Sequence, residues 1–163
     1  MAEPAQRIKR GIEVKRILVV DDNEMLLKAW NRILGERHLN LPYYRLSAHP
    51  EQALHWLGQE EFDIIIVDIV MPNLDGFDFV REAWKIAPKL KIVFTTAYNC
   101  DFGKVALPLS RTTDRDIHVL LKPYQDIAKV EEFLERLVAD DSALNKMPPI
   151  YNQNELRFHM WHL

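Results

Sequence analysis

The stretch Asp63-Ile64-Ile65-Ile66-Val67-Asp68, running on through Ile69-Val70-Met71-Pro72-Asn73-Leu74-Asp75-Gly76, decides how this chain folds. A strand with one face in water alternates apolar and polar side chains, whereas four consecutive β-branched residues belong to a strand covered on both faces. The run stops on a carboxylate, and Pro72, Asn73, Asp75 and Gly76 then supply turn chemistry. The segment predicts a buried strand that carries an acid to its C-terminal end and passes the chain to a loop.

Two more runs have this character: Arg16 to Val20 (RILVV), followed by Asp21-Asp22, and Ile117 to Leu121, followed by Lys122-Pro123. Strands are also predicted at Tyr43 to Ser47 and at Lys91 to Thr95, the latter followed by Thr96. Between them lie amphipathic stretches. Leu26, Trp30, Ile33 and Leu34 recur at helical spacing behind Asn23, a candidate N-cap. Pro50 opens a short helix carrying Ala53, Leu54 and Leu57, and Phe77, Val80, Ala83, Trp84 and Ala87 form a third, stopped by Pro88. Ile127, Val130, Leu134, Leu137 and Val138 share one face of the last. Asn99 to Asp116 is weaker, because Gly103, Pro108 and the run SRTTDRD leave room only for a short or broken helix. The alternation predicts an α/β fold, a five-stranded parallel sheet doubly wound by helices, as (βα)5 units.

The 163 residues suit one domain with short extensions, and 48% hydrophobic content is enough to bury a core. Net charge is −3 and Lys15, Arg32, Arg81 and Lys129 are scattered, so no basic stripe marks direct nucleic-acid binding. A single cysteine, Cys100, forms no intramolecular disulfide and fits a reducing compartment. No apolar run approaches the roughly 20 residues that span a bilayer, and no signal peptide opens the chain; the expectation is a cytoplasmic protein without membrane contact.

In such a sheet right-handed crossovers bring every strand's C-terminal end to one edge, where ligands bind at the switch point of strand order. Four of the five predicted strands deliver chemically capable groups there: Asp21-Asp22, Asp68, Thr95-Thr96 and Lys122. In the flavodoxin-like order 2-1-3-4-5 the first and third strands are neighbours, so three carboxylates meet. They repel unless one is protonated or a cation joins them. Few carboxylates with room for water and a phosphoryl oxygen describe a Mg²⁺ site. A nucleophilic carboxylate, a metal, a lysine and a hydroxyl are the parts that phosphoryl transfer uses.

The string Asp68-Ile69-Val70-Met71-Pro72-Asn73-Leu74-Asp75-Gly76 resembles the DxxMPxxDG phosphoacceptor loop of two-component response-regulator receiver domains. Asp21-Asp22, Thr96-Ala97 and Lys122-Pro123 match that family's other landmarks in order, over about Lys15 to Ala139. The resemblance implies that Asp68 takes phosphate from a sensor histidine kinase or phosphotransfer protein. It implies Asp22 and Asp68 as direct Mg²⁺ ligands, Asp21 as a ligand through water, and the backbone carbonyl of Val70 completing the set. Thr96 is similar to the switch hydroxyl, with Thr95 as the competing choice, and Lys122 to the lysine that pairs with the phosphoryl group. The division implied is an N-terminal extension at 1–14, a receiver domain at 15–141 and a C-terminal tail at 142–163. The protein is then no enzyme but a phosphorylation switch acting on an unknown downstream protein, with a homodimer allowed.

Two features depart from the family. Val119, three residues before Lys122, stands where many receivers carry Tyr or Phe, and Arg111 to Asp116 replaces the usual Gly-Ala before the fifth strand. These favour a second reading, a receiver-like interaction module independent of phosphate; a third is a receiver cut from a larger regulator. An aspartate-nucleophile phosphatase needs a second acid two residues beyond the nucleophile, and that position is Val70. Val70 and Tyr98, each two residues beyond a site residue, are expected to hinder an attacking water. The apolar residues of the tail, Tyr151, Leu156, Phe158, Met160 and Trp161, are expected to pack on the domain or a partner subunit. Single histidines such as His159 and His162 are not expected to bind metal, and Asp21, Asn23, Asp75-Gly76 and Lys122 each also fit a plain cap, turn or surface role.

Overall fold

A computed structural model describes residues 8–9, 12–13, 15–35, 43–97, 117–124 and 126–139. Its elements run β1 (Ile8–Lys9), β2 (Ile12–Glu13), β3 (Arg16–Val20), α1 (Glu24–Leu34), β4 (Tyr43–Ser47), α2 (Pro50–Leu57), β5 (Ile64–Asp68), α3 (Gly76–Ile86), β6 (Lys91–Ala97), β7 (Ile117–Lys122) and α4 (Ile127–Val138). The weak stretch Asn99 to Asp116, Tyr98 and the tail at 142–163 lie outside the described residues.

The central sheet is parallel throughout, in the order β4-β3-β5-β6-β7. Counted without the small hairpin of β1 and β2, this is the expected 2-1-3-4-5. That hairpin was not expected, since strands of two residues are too short to show any period.

Strand alternation divides the core in two. Leu18, Val20, Ile65, Val67, Ile92 and Phe94 pack against Ala53 and Leu57 of α2 and Phe79, Val80 and Ala83 of α3. Ile17, Val19, Ile64, Ile66, Val93 and Leu120 pack on the other face against Trp30, Ile33 and Leu34 of α1 and Val130, Phe133, Leu134 and Leu137 of α4. All of β3 and β5 is buried, which is why their sequences show no polar alternation. Each side chain so buried contributes roughly 1.5–3 kcal/mol, so Ile66→Asp, a charge between the sheet and the α1/α4 layer, would unfold the sheet. Trp30 is fully buried, and Trp84 is half-buried with its indole N–H donating to Leu90 O at 3.2 Å, both core roles.

The helix starts carry the expected chemistry. Asn23 Oδ1 accepts from the N–H groups of Met25 and Leu26, and Asp75 Oδ1 accepts from Asp78 N–H at 2.8 Å. At the opposite edge of the sheet Glu60 accepts from Arg16 and from Tyr43 Oη and pairs with Arg45 Nε at 2.9 Å. The Arg16 guanidinium lies 3.9 Å from the Tyr43 ring centroid. This knot ties the edge strand β4 to β3 and to the turn after α2, far from the strand C-termini.

Candidate functional site

Asp21 directly follows β3, and its neighbour β5 ends on Asp68, with Val20 opposite Val67 in register. Carboxylate oxygens of Asp21, Asp22 and Asp68 lie within 4.8 Å of one another. Asp21 turns inward, 1% exposed, while Asp22 is exposed. The inward turn is held by Asn23, whose N–H donates to Asp21 Oδ1 at 2.9 Å while its side chain caps α1. Asp21 therefore does not cap the helix.

Lys122, the last residue of β7, reaches across β6 into this cluster. Its Nζ donates to Asp21 Oδ2 at 2.7 Å and stands 2.9 Å from Asp68 Oδ2. Burial raises the Asp68 carboxyl above its ordinary value; the Lys122 hydrogen bond and charge oppose this, the charge of Asp21 adds to it, and the Val70 N–H opposes it. The plain surface reading of Lys122 fails on its side chain, which is 11% exposed.

The loop after β5 is pinned to the site by its backbone. Ile69 N–H donates to Thr95 O at 2.9 Å, and Gly76 N–H donates to Ile69 O at 2.9 Å. Gly76 is required because a Cβ there would sit 2.3 Å from Asp68 O and 2.9 Å from Ile69 Cα. Asn73 takes the left-handed conformation, φ 69°, that closes the turn. Val70 N–H donates to Asp68 Oδ1 at 3.4 Å, and Val70 is 63% exposed.

The two threonines separate by strand alternation. Thr95 lies opposite Asp68 in register, on the sheet face of α1 and α4. Thr96 faces α2 and α3, is fully buried, and donates from Oγ1 to Ala97 O at 3.3 Å. Val119 packs on that face next to Phe94, its partner in register. The peptide bond between Lys122 and Pro123 is cis.

The donor set fits Mg²⁺. One ammonium among three carboxylates leaves an excess of two negative charges, all the donors are hard oxygens, and Asp22 opens the cluster to solvent. Residues missed by sequence reasoning are Asn23 as a holder of Asp21, Gly76 as a packing requirement, and Tyr124, whose phenol is buried beside the cluster. The position of Tyr124, two residues past Lys122, was the available signal.

Among the described residues, no helix is long and apolar enough to cross a membrane. Residues 17–113 match the family model described as response regulator receiver domain. The chain is 32% identical over 126 residues to the response regulator receiver protein CpdR of Brucella abortus, covering 77% of this chain and 99% of CpdR. It is 26% identical to the chemotaxis protein CheY of Thermotoga maritima, covering 72% of this chain and 92% of CheY. A CheY-like receiver domain protein from Methanospirillum hungatei superposes with a TM-score of 0.63 at 24% identity, over 78% of this chain and 96% of that one. Other relatives are longer, and the chain spans about half of their length or less.

Proposed function

Because the chain belongs to the response-regulator receiver family, whose members are generally signalling modules and not enzymes, we propose that it is a phosphorylation switch with Asp68 as phosphoacceptor. The observation that carries this is Lys122 Nζ, held at 2.7 Å from Asp21 and 2.9 Å from Asp68 inside an acid cluster. An Asp68 oxygen attacks phosphorus, the N–P bond of a phosphohistidine breaks, and the imidazole leaves with the bonding pair and takes a proton. The product is an acyl phosphate on Asp68.

Asp21, Asp22, Asp68 and the Val70 carbonyl would hold Mg²⁺, which neutralises charge developing on the phosphoryl oxygens. Lys122 then turns from the carboxylates to the phosphoryl group. Thr96 is the switch hydroxyl, and its location on the α2/α3 face means that its movement disturbs the packing around Phe94 and Val119. The partners proposed are a sensor histidine kinase or phosphotransfer protein upstream and a protein downstream, without direct contact to nucleic acid. A homodimer is compatible with this scheme.

Incubation with acetyl phosphate and Mg²⁺, read by intact mass, should add one phosphoryl group, labile to hydroxylamine and absent from Asp68→Asn. If neither acetyl phosphate nor histidine-kinase donors modify the wild type, the phosphate-independent interaction module, favoured by Val119, replaces this reading.

A further inference from the structure

On the α1/α4 side of the sheet, beside the carboxylates, the Tyr124 and Trp30 rings meet edge to face, with centroids 5.0 Å apart and planes at 61°. Tyr124 Oη and Trp30 Nε1 are fully buried, and among the described residues neither has a hydrogen-bond partner. The Thr95 hydroxyl and the Trp30 indole N–H are close enough to act on the phenol, yet neither meets the geometry of a hydrogen bond to it. A buried hydroxyl without a partner carries a desolvation cost. Phenylalanine would fill the same space without it. The hydroxyl is thus held ready for an acceptor that another state of the site supplies.

Asp21 is the acceptor that becomes short of donors. Its Oδ1 is committed to Asn23 N–H, and its Oδ2 depends on Lys122. When Asp68 carries a phosphoryl group, that group competes for the ammonium, and Asp21, 1% exposed, is left with the donor a Mg²⁺-held water would supply and none from bulk solvent. Tyr124 lies two residues past Lys122, and the charges of Asp21 and Asp68 both act on its phenol. Burial keeps this phenol protonated far above the ordinary tyrosine range, so it remains a donor at any working pH.

We propose that Tyr124 is a positioning residue for phosphoryl transfer, its O–H moving onto Asp21 Oδ2 as Lys122 leaves for the phosphoryl group. This rests on the phosphoacceptor reading of Asp68. The move changes the contact between Tyr124 and Trp30, so Trp30 emission reports it.

The test compares the 163-residue parent chain with its Tyr124→Phe variant, each with Trp56, Trp84 and Trp161 replaced by Phe so that Trp30 alone of the tryptophans emits. Three quantities are measured: melting temperature and Mg²⁺ affinity without a phosphodonor, the phosphorylated fraction with acetyl phosphate and Mg²⁺, and Trp30 emission across phosphorylation. Tyr124→Phe should melt at or above wild type and bind Mg²⁺ within about twofold of it. Its phosphorylated fraction should fall severalfold, and its emission change on phosphorylation should be lost. Equal phosphorylation and equal emission change in both proteins would overturn the proposal while leaving Asp68 as the acceptor. A loss of phosphorylation matched by an equal loss of Mg²⁺ affinity or of folding would also overturn it, because that is a structural effect. A parent protein that takes up no phosphoryl group would overturn the reading of Asp68 and this inference together.

Discussion

Lys122 and Asp21 stand 101 positions apart in the chain, yet Lys122 Nζ donates to Asp21 Oδ2 at 2.7 Å, with Asp68 Oδ2 only 2.9 Å from the same nitrogen. The last strand of the sheet thereby reaches across β6 to its centre, and the lysine is a structural counter-ion before any phosphate arrives. Lys122→Met should leave two buried carboxylates uncompensated. Breaking a buried pair by removing one partner typically costs about 3–5 kcal/mol, and a loss of this order is expected in urea melts at neutral pH. Added Mg²⁺ should recover part of it. Wild-type stability in the variant would mean that the three groups do not interact in solution.

Acid should act on the site in the opposite sense to ordinary acid denaturation. Asp68 is pushed above its usual 3.8, chiefly by burial, so the folded state holds the proton more tightly than the unfolded chain does. The cost of ionised Asp68 is present above its folded pKa and is relieved as pH falls through that value toward 3.8; below 3.8 both states are protonated. Relative to Asp68→Asn, wild type should therefore gain stability across this window. Mg²⁺ affinity and the rate of phosphorylation should fall across it, since the proton occupies the oxygen that both require. Melting curves of the two proteins at a series of pH values check the sign, and a difference that does not vary with pH would contradict it.

The backbone beneath the phosphoacceptor tolerates no side chain at Gly76. A methyl group there meets Asp68 O at 2.3 Å and Ile69 Cα at 2.9 Å, both backbone atoms that cannot turn aside. Gly76→Ala should push the start of α3 away from the loop, destabilising the fold by about 2 kcal/mol or more and slowing phosphorylation, because Asp68 shifts with its carbonyl. Thermal melting and acetyl phosphate kinetics read the two effects separately. An unaffected variant would show that the loop and helix are less tightly apposed than described.

Arg16–Val20 and Ile64–Asp68 were legible because burial on both faces leaves a nearly unbroken apolar run, and the half-buried edge strand Tyr43–Ser47 also falls where the sequence placed it. The convergence of Asp21, Asp68 and Lys122 followed from parallel topology alone. What could not be read was which groups pair. The sequence left Thr95 and Thr96 as competing choices and did not say that Thr96 Oγ1 would bond to Ala97 O. Nor did it say that the ammonium would sit between two of the three acids, which weakens the repulsion expected of them. The residue types of Asp21 and Asp22 do not show which is buried; in the structure Asp21 is buried, holding Asn23 N–H and Lys122 Nζ, and Asp22 is exposed.

That inequality sets the outcome for Asp22. From the sequence, neutralising one of three crowded acids by Asp22→Asn is expected to stabilise the metal-free protein by about 1 kcal/mol or more. In the structure the two buried acids already share Lys122, while Asp22 is exposed and its charge is screened by water. Asp22→Asn should thus shift metal-free stability by no more than about 0.5 kcal/mol, the usual range for surface substitutions. Mg²⁺ should separate the two proteins. A ligand that binds only the native state contributes about 2.7 kcal/mol at a hundredfold excess over Kd, and wild type should approach such a gain as Mg²⁺ is titrated. The variant, lacking the ligand that opens the cluster to solvent, should gain far less. Ca²⁺ should replace Mg²⁺ imperfectly, given its larger and looser coordination shell. Melting temperatures along the titration decide the matter. If Asp22→Asn keeps the full Mg²⁺ response, the exposed carboxylate is no ligand and the cation is held by Asp21 and Asp68 without it.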